Sequence, residues 1–479
     1  MSALALCAAL SLAVASTSPT PFSPTAGLSP CVLSHPAGAQ TRALCGTIDV
    51  DVGHVGGAPG TVAFAVLPAT GSDAHGAPLV MLAGGPGQSA MRDFLPILGT
   101  VAGIRDDRPL VLMDVRGTGR SMPQTCVDER SVGDKLGGVG DDALLKRCLS
   151  EVNISLKHIG TAEAVADLEA VRVRLGVPAF HVLGVSYGTR VAAAYADAHP
   201  SSTASLVLDG VVPFDRAVGD DVAADMSASL RALGETAVAD FVAVKAALKA
   251  SPVTLTVPEP TTFQPTSLTM TSDVVNSTVR MMLYSDETRA LLPVALARAR
   301  GGDLQPLAST AVMMVQQLQG AIHGPVNLAV LCAEDVPHFT GSADGTAEEG
   351  AATRDGDVFD DEREAMKKGC SFLTPATVPA FRPTRIDVPT LLLSGGYDPI
   401  TPPRHAVRNE GIFPKRRHVF LNHQGHNILP RPCIGPLVRK HLQAVDDGEP
   451  FRGAAESEAD CAKRDTAFPA FIDLQGPRP

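Results

Sequence analysis

"HVLGVSYGTR", residues His181–Arg190, decides the reading of this chain. Apolar, β-prone residues run into a serine set between two glycines, and a helix-forming run, "VAAAYADAHP" at 191–200, follows at once. Gly184-Val185-Ser186-Tyr187-Gly188 is therefore a G-x-S-x-G sequence at a strand-to-helix corner, the context in which that motif carries chemistry. A side chain two residues either side of the serine would collide with the neighbouring strand or helix. Such a turn holds the serine oxygen outward at a helix N-terminus, with the Tyr187 N–H aimed where negative charge forms during acyl transfer. A serine that merely caps a helix in a glycine-rich turn is the plainer alternative.

The flanking sequence supplies a sheet for this corner. Short β-like runs, "GTIDVDV", "TVAFAVLPA", "PLVMLAGGPG" and "RPLVLMDVRG", are punctuated by Gly and Pro. A helical pattern follows at "TAEAVADLEAVRVRLG", where Thr161 is the expected N-cap, and "TASLVLDGVV" is the strand after the serine helix. Continuous apolar strands alternating with helices predict an α/β fold with a largely parallel sheet covered on both faces. From about Phe214 long helical patterns replace the strands, and the β pattern resumes only at "VPTLLLSGGYD" and "RHVFLNHQGHN". The expected organisation is a core of residues 30–213 and 386–479, interrupted by a helical cap at 214–385. No internal repeat is evident.

A serine hydroxyl needs a base to accept its proton, and the base needs an orienting acid. The order expected downstream is acid, then histidine. Asp398 lies in the loop after "TLLLSGG" and His426 in the loop after "RHVFL", both at the strand ends where a parallel α/β fold gathers its site. His423 directly follows its strand, whereas His426 comes after Gly425 in a turn that can carry it over the serine. Asp209, ending "LVLD", is the alternative acid, and His181 within its strand reads as structural. "LAGGPGQS" brings Gly84, Gly85 and Gly87 after an early strand, an unobstructed backbone with an N–H to spare for an oxyanion. Asp114, Arg116 and Arg120 in "DVRGTGRS" read as an ion pair bracing the turn below it.

Composition narrows the function classes. A formal charge of −11 without a basic run argues against a nucleic-acid surface, and 45% apolar residues suffice for a sizeable core. "MSALALCAALSLAVAS" gives an apolar run ending in Ala13-Val14-Ala15, the small-x-small pattern of an export signal over residues 1–15, although no Lys or Arg precedes it. Elsewhere no apolar stretch approaches the ~20 residues needed to span a bilayer. Of the nine cysteines, Cys7 falls in the leader, and the other eight form neighbouring couples: 31 and 45, 126 and 148, 332 and 370, 433 and 461. Sequential disulfides in an oxidising compartment are the expectation, each contributing about 3 kcal/mol in the chain-entropy model; spacing alone leaves the connectivity open. HExxH and clustered metal ligands are absent, so no metal or other cofactor is expected.

"GGPG", "DVRGTGRS", "GVSYGT", "LLLSGGYDPITPP" and "GH", in this order, resemble the α/β-hydrolase fold, specifically the secreted tripeptidyl aminopeptidase and proline iminopeptidase relatives. The resemblance implies a mostly parallel central sheet with an inserted helical cap, with Ser186 as nucleophile, Asp398 as acid and His426 as base. Gly85 and Tyr187 would be the oxyanion donors through their backbone N–H groups. It further implies release of N-terminal residues or short peptides from peptides with a free N-terminus. The cationic α-amine of such a substrate calls for a carboxylate. Glu334 and then Asp335, in "LCAEDVPHF", are the candidates, against the plainer reading of a solvated acidic loop. The expected protein is an exported, secreted or periplasmic, serine aminopeptidase working through an acyl-enzyme. A carboxylesterase or lipase with the same triad is the first alternative, and a non-catalytic exported binding protein on a hydrolase scaffold the second.

Overall fold

The computed structural model describes residues 27–466 except 53–59, 73, 75, 127–141, 153, 261, 319, 341–357, 360–362, 374–376, 450–460 and 462. The expected leader, 1–15, lies outside the described residues. In chain order the strands are β1 (Ser29–Ser34), β2 (Gln40–Val50), β3 (Gly60–Leu67), β4 (Leu79–Leu82), β5 (Leu110–Met113), β6 (Phe180–Val185), β7 (Thr203–Asp209), β8 (Val253–Pro258), β9 (Pro265–Met270), β10 (Thr390–Gly395) and β11 (Arg416–Leu421). Nine of them form one sheet in the order β1-β2-β3-β5-β4-β6-β7-β10-β11. The first three and β5 pair antiparallel, and from β5 to β11 every pairing is parallel.

Period-2 alternation explains why these runs are apolar throughout: successive side chains enter opposite faces, and both faces are covered. Val80 and Leu82 of β4 join the core beneath helices Thr161–Leu175 and Tyr187–Ala198. Leu79 and Met81 join the opposite core, with helix Ile434–Asp446. The chain visits β5 and then returns past β4 to β6, so the strand order reverses beside β4. Such a switch leaves a crevice at the C-terminal strand ends, and the loops after β4, β6, β7, β10 and β11 all open there.

Between β7 and β10 the described chain forms helices Val222–Arg231, Glu235–Ala250, Ser272–Met282, Asp286–Arg300, Gln305–Leu318, Gly324–Glu334 and Arg363–Cys370, several of them around a third core. Three departures from the sequence reading are physical. The long helical patterns break where glycine intervenes, at Gly234 (φ 107) and at Gly301-Gly302. The β-branched runs "VTLTVP" and "PTSLTM" form the hairpin β8–β9, which the helical periodicity around them obscured. Thr161 is also not an N-cap: Gly160 holds that position and Thr161 is the first helical residue.

The cysteine couples 31–45, 126–148, 332–370 and 433–461 are disulfide-compatible pairs with Cα atoms 5.2–5.9 Å apart. No described helix is long and apolar enough to cross a membrane.

Candidate active site

Ser186 sits between β6 and helix Tyr187–Ala198 with φ 55 and ψ −122, a strained backbone for a residue with a side chain. The flanking glycines make the turn possible. A methyl group on Gly184 would lie 2.2 Å from Gly188 O, and one on Gly188 would lie 2.4 Å from Leu82 O. Ser186 remains half-buried, and its N–H donates to Asp209 O at 2.9 Å. Tyr187 opens the helix, so its N–H has no intrahelical acceptor and lies at the positive end of the helix dipole.

His426 and Asp398 come together as the order of the strands requires. The His426 Nδ1–H donates to Asp398 Oδ2 at 2.9 Å. Asp398 also accepts from the Ile400 and Thr401 N–H groups at 2.9 and 2.8 Å and from Thr401 Oγ1 at 2.8 Å. Burial pushes the Asp398 carboxyl up, yet the imidazole and these donors outweigh it and hold the pKa below the ordinary value. Burial likewise pushes His426 down, but Asp398 first and Asp209 next raise it above the ordinary histidine value. With Nδ1 engaged by Asp398, Nε2 is the ring nitrogen of His426 that remains for another partner.

The alternative residues have other partners. His423 is turned to Asp465, whose backbone O lies 3.2 Å from its Nδ1. Asp209 accepts from the backbone N–H groups of Ile428 and Leu429, at 3.0 and 2.7 Å. His181 is buried in β6, where Nδ1 meets Ser205 Oγ at 2.7 Å and Nε2 meets Asp446 Oδ1 at 3.0 Å.

The glycine loop after β4 lies against the serine: a methyl on Gly84 would be 3.0 Å from Ser186 Cβ. Gly85 and Gly87 adopt φ 106 and 100. The bracing beneath this loop differs from the expected ion pair. Asp114 accepts from Ser89 Oγ, Met91 N and Arg120 N at 2.8, 3.0 and 2.8 Å, so hydrogen bonds rather than a cation satisfy it. Arg116 instead makes a two-pronged pair with Asp167 at 2.7 and 2.8 Å, and the Arg120 side chain reaches Val32 O.

Glu334 closes helix Gly324–Glu334 and Asp335 follows it. Neither is in a solvated acidic loop, and both carboxylates already have partners. Glu334 accepts from Thr161 N and Thr161 Oγ1, both at 2.6 Å, and from Arg190 at 3.2 Å. Asp335 accepts two bonds from Arg190, at 3.0 and 2.7 Å, and one from Val218 N at 2.8 Å. Both residues are buried, and an ammonium group would have to displace the Arg190 guanidinium. The Tyr187 hydroxyl lies 2.8 Å from Thr161 Oγ1, so this network anchors the start of the serine helix instead.

The sequence reading missed the contacts that segment 284–327 makes with the site loops. Tyr284 O accepts the His426 N–H at 3.0 Å, and the two rings meet edge-on with centroids 5.5 Å apart. Asn327 Nδ2 donates to Pro86 O at 3.0 Å and the His323 N–H to Gly87 O at 2.9 Å, holding the glycine loop. Isolated Tyr, His and Asn residues in a helical pattern carry no signal for such long-range contacts.

Residues 77–430 match the α/β-hydrolase fold family. The serine protease Hip1 of Mycobacterium tuberculosis is 32% identical over 203 residues, 38% of this chain and 39% of that protein. A proline iminopeptidase of Xylella fastidiosa is 34% identical over 140 residues, 29% and 33% of the two chains. The tripeptidyl aminopeptidase of Streptomyces lividans is 31% identical over 160 residues, 30% of each. The matched stretches thus span less than two fifths of these relatives' length.

Proposed function

Because the chain belongs to the α/β-hydrolase fold family, we propose that it is a serine hydrolase and, within that class, an aminopeptidase acting through an acyl-enzyme. The observation that carries this reading is the 2.9 Å bond from His426 Nδ1 to Asp398, on loops that share one sheet edge with the strained Ser186 corner. In this account His426 Nε2 takes the proton as Ser186 Oγ attacks the scissile carbonyl. The oxyanion meets the N–H groups of Gly85 and Tyr187, and each such donor contributes about 3–4 kcal/mol to the transition state. The proton then passes from His426 to the leaving amine. Water, deprotonated by the same imidazole, hydrolyses the ester.

Peptide substrates with a free N-terminus follow from the motif resemblance and from the names of the matched relatives, Hip1 among them. The Glu334–Asp335 pair, committed to Thr161 and Arg190, does not support that preference. We further propose that residues 214–385 act as the cap over this site and that the protein is exported, a reading supported by four disulfide-compatible pairs.

The test compares p-nitroaniline release from matched short peptides with free and N-acetylated termini, with Ser186→Ala as control. Turnover of free termini alone, lost in the control, is expected. Equal turnover of both would overturn the aminopeptidase reading, and turnover of p-nitrophenyl esters alone would replace it with an esterase.

A further inference from the structure

Asp209 closes β7, is fully enclosed, and stands outside the Ser186–His426–Asp398 set. Its backbone carbonyl accepts the Ser186 N–H at 2.9 Å. Its carboxylate oxygens accept the N–H groups of Ile428 at 3.0 Å and Leu429 at 2.7 Å, just beyond His426. One residue is therefore bonded to the nucleophile's backbone on one side and to the histidine loop on the other. A buried carboxylate is tolerated only where donors satisfy it, and here one backbone donor faces each oxygen.

Gly210 completes the corner with φ 68. A methyl there would lie 2.8 Å from both Asn427 Oδ1 and Thr401 Oγ1 and 3.4 Å from His426 Cε1. The chain thus passes directly beneath the imidazole edge, beside the threonine that also holds Asp398.

We propose that Asp209, together with Gly210, is a positioning element that fixes His426 relative to Ser186 by tying the histidine loop to the end of β7. The proposal rests on the triad reading above. It gives a role to a carboxylate that the chemistry itself does not use: Asp209 acts through backbone, never on substrate. Its charge also reaches the imidazole. Around His426 and its loop stand Asp398 from the loop after β10, Asp209 from β7, the ring of Tyr284, and Asp286, which is paired with Arg431 and whose Oδ1 would lie 3.2 Å from a methyl on Gly425. Burial, the largest influence on Asp209, pushes its pKa up to about 6 against the two N–H donors.

The experiment follows the second-order rate of Ser186 labelling by a fluorophosphonate against pH, in the full chain. Asp209→Asn keeps the shape but accepts only one of the two N–H bonds and turns its own NH2 toward the other donor. The expected plateau rate falls ~10–100-fold, as for a sub-ångström to 1 Å misplacement of a reacting group. The acid limb should move to lower pH, because a negative charge near the imidazolium is gone. Gly210→Ala leaves the charge and presses on the loop, so its rate should fall comparably with the limb unmoved; it also decides the matter if Asp209→Asn does not fold. A purely structural role would lower the melting temperature while leaving both variants' rates at 20 °C within about twofold of the unaltered protein, and that result overturns the proposal. Failure of the unaltered protein to label at Ser186 removes the triad reading, and the proposal with it, whereas normal labelling with indifferent variants removes the proposal alone.

Discussion

A single methyl group at Gly184 tests whether the serine corner is as tight as its geometry indicates. In Gly184→Ala the new carbon would sit 2.2 Å from Gly188 O, 2.5 Å from Gly188 C and 2.8 Å from Thr189 N, all backbone of the first helical turn. Ordinary contact begins at 3.4 Å, so strand and helix must part by 3.4 − 2.2 = 1.2 Å at the closest point. Backbone atoms cannot rotate away as a side-chain tip could, and Ser186 lies between the two glycines. Overpacking of this kind costs ~1–3 kcal/mol of stability. An ångström of misplacement at a reacting group costs ~10²-fold in rate. The expected variant therefore folds with a lowered melting temperature, and its Ser186 reacts with a fluorophosphonate ~100-fold more slowly. Gly411→Ala is the control, since nothing lies within 4 Å of the added methyl. Labelling of Gly184→Ala within about twofold of the unaltered protein would refute the steric account of the corner.

Three further outcomes are expected. In the proposed mechanism activity needs neutral His426, whose pKa is raised above the ordinary histidine value because the Asp398 and Asp209 charges outweigh burial. kcat/KM should accordingly be lost as pH falls through that raised pKa, and Asp398→Asn should move that limb down and lower kcat ~10⁴-fold, read from pH–rate profiles. Asp167→Ala removes both prongs of the Arg116 ion pair and leaves that guanidinium only the Asp51 and His158 carbonyls, which should cost ~1–3 kcal/mol in urea unfolding. Peptide mapping of the unreduced protein should yield the cross-links 31–45, 126–148, 332–370 and 433–461 and no free thiol at those positions.

What the sequence made legible was local or carried by chain order. Apolar runs such as "PLVML" and "TLLLSG" located the parallel strands because both sheet faces are buried. The G-x-S-x-G corner and the order of Asp398 and His426 then followed from where such strands end. What stayed hidden depends on distant partners. Arg116 is paired with Asp167, 51 residues away, rather than with its neighbour Asp114. Thr161 and Glu334 meet across 173 residues, so neither the N-cap assignment of the first nor the amine-binding role of the second could be tested by spacing. Asp209 shows the same limit. It ends a strand, as a triad acid does, and only its bonds to Ile428 and Leu429 distinguish holding the histidine loop from orienting the histidine itself.

The central claim is that Ser186 is the nucleophile of a working serine hydrolase, and mass mapping of a fluorophosphonate adduct tests it most directly. The account predicts one adduct per chain, on Ser186, absent in Ser186→Ala and formed far more slowly in His426→Ala. An adduct on another residue, or none on the folded protein, would contradict it.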